Sequence, residues 1–162
     1  MGARNGGQVS VPSLKSRLAR GSDIPADASE DFNRKAFLER AFDSLIANDD
    51  RNVNNILLGH DGRQMLLIDH SRTFRTQAPF DRTLIFGAAG LQKAKDGTPH
   101  LFQQLPRAFV EKLRALDAKS IKAAVKANLT AKEIQVLLGR RDIILEEVDS
   151  LIRERGEDKV LY

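Results

Sequence analysis

The sequence predicts an α+β domain, mainly helical, with a single β-hairpin. Apolar residues recur at helical spacing between 37 and 46 and again from 106 to the C-terminus. Between these stretches, two short apolar runs flank a glycine-containing turn, the pattern of a hairpin. With 41% hydrophobic and 30% charged residues in 162, the chain has the composition of a folding domain rather than of a disordered segment.

Residues 1–29 are rich in Gly, Ser, Pro and Ala and read as a mostly irregular arm, with a short helical turn near Leu14–Leu18. Val9-Ser10-Val11 hints at a strand that Pro12 ends. The arm holds Arg4, Lys15, Arg17 and Arg20 before its first acid, Asp23. Those four cations equal the whole net charge of +4. Such an arm can meet phosphate, but it has no aromatic residue to stack on bases, so nucleic-acid binding is disfavoured.

The domain proper is expected over 30–162. A helix should begin at Ser29 or Glu30, with Ser29 as N-cap and Glu30 and Asp31 favourable in the first turn. Leu38, Ala41, Phe42 and Leu45 form its apolar stripe, widened by Phe37 and Ile46. The polar cluster 48–52 ends it. The hairpin follows: Asn55–Leu58, a turn over Gly59–Arg63, then Gln64–Asp69. Its second run ends on a carboxylate, which a buried strand seldom carries. Residues 70–104 are irregular and long for a plain connection, which marks them as functional or as holding a short helix.

Pro106 opens the helical half, with Phe109, Leu113 and Leu116 on an inner stripe. A second helix is expected near Ala118–Ala127. Thr130 and Glu133 form a capping box, with Leu129 as a staple to Ile134. Gly139 is read as a break before a last helix, and Arg140 and Arg141 as a solvated face.

Several chemistries are excluded or disfavoured. Without cysteine there is no disulfide scaffold, thiolate metal site or cysteine nucleophile. His60, His70 and His100 are not spaced as ligands on one helix, and Ser71 has no His–Asp relay frame. No run reaches the ~18 apolar residues of a membrane span. The N-terminus lacks an apolar signal core, so the default compartment is the cytoplasm.

The informative constellation is Asp50-Arg51-Asn52-Val53-Asn54-Asn55-Ile56-Leu57, followed by Leu67-Ile68-Asp69-His70-Ser71. An acid lies in a polar loop after an apolar helix, an Asn opens a strand five residues later, and a second acid ends the paired strand. Phosphoryl transfer asks for these parts: a carboxylate to orient and deprotonate the attacking hydroxyl, and hard oxygen ligands for Mg²⁺ on the nucleotide phosphates. Asp49 and Asn54 share the five-residue spacing. Arg after Asp50 and an apolar run after Asn55 favour the pair Asp50 and Asn55.

These residues resemble the catalytic loop of the protein-kinase-like superfamily, most closely its phosphatidylinositol 3-/4-kinase-like branch and bacterial relatives, whose loop reads D-R-H-x-x-N. Asn52 stands at the family His, and His70-Ser71 at the family Phe-Gly. The resemblance covers about residues 30–75 and implies a kinase-like C-terminal lobe. It makes Asp50 the catalytic-loop carboxylate that takes the acceptor's proton, Asn55 and Asp69 the ligands of Mg²⁺ and ATP, and a hydroxyl on a protein, lipid or small molecule the acceptor. Residues 1–29 do not read as the strands, glycine-rich loop and strand lysine of an N-terminal lobe. The chain by itself is therefore expected to be inactive or nearly so, with an uncovered cleft face that favours a protein partner or self-association. The rival expectation is a kinase remnant that acts only as an interaction module.

Overall fold

The computed structural model describes residues 17–18, 26–59, 64–87, 90–91 and 101–162. The strand hint at 9–11, the hairpin turn with His60, and His100 lie outside these. The elements run β1 (Arg17–Leu18), α1 (Ser29–Ile46), β2 (Ile56–Leu58), β3 (Met65–Leu67), α2 (Arg107–Ala115), α3 (Ala118–Val125), α4 (Ala131–Arg155) and α5 (Glu157–Val160). The described residues are thus mainly helical with one hairpin, as the periodicities indicate.

β2 and β3 pair antiparallel with Leu57 opposite Leu66. Gly59 N–H to Gln64 O (2.8 Å) closes the ladder at one end, and Ile68 N–H to Asn55 O (3.1 Å) at the other. β1 adds a third antiparallel strand, Leu18 opposite Leu57. At Arg17 and Leu18 this corrects the helical turn expected near Leu14–Leu18, whose earlier residues lie outside the described ones. A two-residue strand has no period to read, and its conformation is set by the free edge of β2 that it covers.

Ser29 is the first helical residue of α1 rather than its cap. A 3₁₀ turn over Ala26–Ala28 feeds the helix, and no side chain caps it. The other end is fully accounted for. Ala47 adopts a left-handed conformation, φ 55°. This lets Asn48 N–H reach Asp43 O (2.8 Å) and Ala47 N–H reach Ser44 O (3.4 Å), a Schellman closure. Leu45 O accepts from Arg140 Nε (2.9 Å). Ile46 O accepts from Phe74 N–H (2.7 Å). All four terminal carbonyls thereby find donors.

α4 is the central column, in contact with α1, α2, α3 and α5. Its capping box forms as the sequence indicates: Glu133 N–H donates to Thr130 Oγ1, and Thr130 N–H donates to Glu133. Ile144, Val148 and Leu151 of α4 pack in the core with Leu113, Leu101, Phe102 and Leu105. Two expectations fail along it. The helix runs unbroken through Gly139, because an interior glycine costs only ~1 kcal/mol against alanine and tertiary packing covers that. Arg140 is buried, at 1% exposure, and Arg141 is half-buried with a bond to Leu116 O. Nothing in the local sequence marks Arg140 as inward. Its partners are the carbonyls of Leu45, Arg75 and Phe80, 60 to 95 residues away. The chain's last residues return to the start of the helical half: Arg107 N–H meets Tyr162 O (2.8 Å), and Leu105 bridges Leu161 in parallel.

Candidate functional site

The loop after α1 is built from side chains that bond to nearby backbone, which is why Asn and Asp crowd it. Asp50 N–H donates to Asn48 Oδ1 (3.3 Å), and Asn54 N–H to Asn52 Oδ1 (2.9 Å). Asp50 O accepts from Asn52 Nδ2 and from Asn55 Nδ2, each at 2.9 Å. The five-residue spacing seen in the sequence is therefore a physical link, the amide of Asn55 closing back on the backbone of Asp50. Asp49 pairs with Arg75 (3.0 Å) and Arg72 (3.6 Å).

Arg51 holds this loop to its surroundings. A guanidinium has five N–H donors. Nε donates to Asp43 Oδ2 (2.8 Å) and Nη2 to Asp43 Oδ1 (3.0 Å), a bidentate pair. Nη1 donates to Asn55 O (2.8 Å) and Ile68 O (2.7 Å). The second Nη2 proton faces His70 Nε2 at 3.2 Å. Since a guanidinium only donates, His70 accepts there. Asn48 Nδ2 adds a third bond to Asp43 (3.0 Å). One side chain thus ties α1, the start of β2, the end of β3 and His70 into a single frame.

Asp69 follows Ile68 directly, so the frame sets its position relative to Asn55. Its backbone is left-handed, φ 54°. Its Oδ1 accepts from Ser71 Oγ (2.6 Å) and Ser71 N–H (3.3 Å). These bonds hold the carboxyl below the usual carboxylate range, so it stays anionic. Asp50 is 40% exposed, with Arg72 at 3.8 Å. The cavities beside Leu84, beside Arg34 and beside Phe42 do not include Asp50, Asn55 or Asp69. Among the described residues, no three His, Asp or Glu side chains are grouped to hold a metal. Asn55 and Asp69 offer two hard oxygen ligands, which suits Mg²⁺ only where phosphates or water complete the set.

Sequence reasoning missed the acids behind this site. Asp43 is fully buried although it lies beside the apolar stripe of α1. The available signal is an acid between Phe42 and Ile46 with an Arg eight residues later. Glu39, one turn before Asp43, is also largely buried. Burial, a hydrogen bond to Asp43 and the nearness of that second carboxyl push its pKa up from 4.5 to about 8. The native protein then holds a proton on Glu39 that the unfolded chain releases near pH 4.5. Stability is expected to fall as pH rises from about 4.5 to 8, by up to ~1.4 kcal/mol per unit. Chemical denaturation across that range checks it, and Glu39→Gln should remove this component of the slope. An unchanged slope in the variant would count against it.

No described helix is long and apolar enough to cross a membrane. Compared with known proteins, the chain matches no family model, and no curated protein or solved structure matches it.

Proposed function

We propose that the chain is the catalytic-loop part of a kinase-like phosphotransferase that moves the terminal phosphoryl group of ATP to a hydroxyl. The observation that carries this is the bond from Asn55 Nδ2 to Asp50 O, within a frame in which Arg51 also grips Asn55 O and Ile68 O. A general base, an amide oxygen and a second carboxylate are thus held by one network, as in-line transfer requires.

In this reading Asp50 orients the acceptor hydroxyl and takes its proton as the bond to phosphorus forms. Asn55 and Asp69 hold Mg²⁺ on the nucleotide phosphates. When bound, the ion neutralises charge on the phosphoryl oxygens. Asp69, kept anionic by Ser71, needs no proton loss to serve. Loss of the Asp50 charge in Asp50→Asn should lower kcat by about 10²–10⁴-fold with little change in ATP affinity. Asp69→Ala should abolish turnover and leave the helical circular-dichroism signal intact. Full turnover by either variant, measured by phosphate transfer in the whole protein, refutes the reading.

A non-catalytic interaction module is the second reading. Two apolar side chains of the hairpin region, Leu66 and Ile68, are 38% and 39% exposed. They alternate along the chain and so share one face of the sheet. Absence of any Mg²⁺-dependent thermal shift with ATP would favour it.

A further inference from the structure

A cavity of about 510 Å³ lies between α1, β3 and α2. Leu38 and Phe42 line it from α1, Met65 and Leu67 from β3, and Phe109 from α2. Its volume falls in the range of small-molecule sites, and such sites pair apolar walls with a few polar groups. The acid in the wall is Glu39. Glu39 and Asp43 are two carboxyls a turn apart with Arg51 between them, and all five Arg51 donors are engaged elsewhere. Arg51 Nε lies 3.9 Å from Glu39 Oε1, beyond hydrogen-bond reach. The other charged groups near Glu39 are on its own helix: Arg40, and Lys35, whose Nζ pairs with Asp31. β3 and α2 contribute only apolar side chains to the wall. The cavity therefore has a hydrophobic body and one carboxyl whose nearest cation, Arg51, makes its hydrogen bonds to other groups.

We propose that this cavity binds a small primary amine, its aryl or short alkyl body against Leu38, Phe42, Leu67 and Phe109, and its ammonium paired with Glu39. In the empty cavity at neutral pH the Glu39 carboxyl is protonated, since its pKa is raised to about 8. The ammonium replaces that proton: a carboxylic acid and an ammonium become an ion pair, and one proton leaves to solvent. Binding thus depends on pH in a way that apolar contact alone does not.

The test is calorimetric titration of the full chain with phenethylammonium chloride, beside phenethyl alcohol as the uncharged control. The amine should bind with release of about one proton below pH 8. Its affinity should rise by up to tenfold per pH unit from 6 to 8 and level off above. The alcohol should bind more weakly and without pH dependence. Glu39→Gln, which resembles the protonated acid, should weaken the amine at least tenfold at pH 8 and leave the alcohol unchanged. Methyl NMR should place the shifts at Leu38, Met65 and Leu67 in the native chain, independently of any variant. No saturable binding up to about 10 mM, pH-independent binding, equal affinity in Glu39→Gln, or shifts confined to other elements would each overturn the proposal. No phosphotransfer assay enters, so this result stands or falls apart from the catalytic reading.

Discussion

Alanine at Asp43 is expected to cost about 3–5 kcal/mol of folding stability, the range seen when one partner of a buried ion pair is removed. The loss has two parts. Arg51 keeps its charge in a site where its side chain is almost wholly covered, and Asn48 loses the acceptor of its amide. Since whole domains are stable by only ~5–15 kcal/mol, this is a large share. Circular dichroism at 222 nm through a urea titration measures it, because the chain has no tryptophan. Removing both charges together, Asp43→Leu with Arg51→Met, should cost less than the sum of the two single changes by about 1–3 kcal/mol. The double variant has no uncompensated charge, although the carbonyls of Asn55 and Ile68 lose their donor. Strict additivity, or a cost below about 1 kcal/mol for Asp43→Ala, would show that the pair does not organise the loop.

Arg140→Leu is expected to cost about 3 kcal/mol, because one buried and two half-buried carbonyls lose donors worth about 1 kcal/mol or more each. Those carbonyls belong to Leu45, at the end of α1, and to Arg75 and Phe80, which lie outside any helix or strand. The gain from removing a buried cation offsets part of this. Burial lowers the Arg140 pKa to about 10, and its Nη2 has no acceptor among the described residues. Arg140→Lys should recover less than half, since an ammonium lacks the planar fork that spans three acceptors. The signature beyond stability is local. Residues 75–80 should become a protease cleavage site in Arg140→Leu while α1 and α4 stay helical. Uniform protection of that segment would place its anchorage elsewhere.

These two arginines show what a sequence can and cannot display. Elements held by local chemistry were legible. Thr130 and Glu133 cap a helix through atoms three residues apart, and the hairpin announces itself by two apolar runs about a turn. The five-residue spacing of Asp50 and Asn55 was visible, but the bond from the Asn55 amide to the Asp50 carbonyl was not, because the spacing alone names no donor or acceptor. Arg140 was not, because its acceptors are main-chain carbonyls, which every residue carries and no composition marks. Asp43 was hidden in another way. A helix acid normally faces water, and only the left-handed turn at Ala47 brings the chain back so that Arg51 can meet it. β1 owes its form to a partner some 40 residues away, which no window of 17–18 contains.

The clasp between residues 105–107 and 160–162 has a topological consequence. It places residues 105–107 and 160–162, which bracket the helical half, side by side. Chains whose ends meet tolerate being cut and rejoined elsewhere. The exposed turn at Lys126–Asn128, between α3 and α4, is where new termini would break the fewest buried contacts. A circular permutant of the helical half opened there would keep α2, α3, α4, α5 and the α4 capping box, while Ala41, Leu45, Leu84, Leu101 and Phe102 of the core lie outside that half. The order of the helices along the chain is to that extent separable from the packing they achieve.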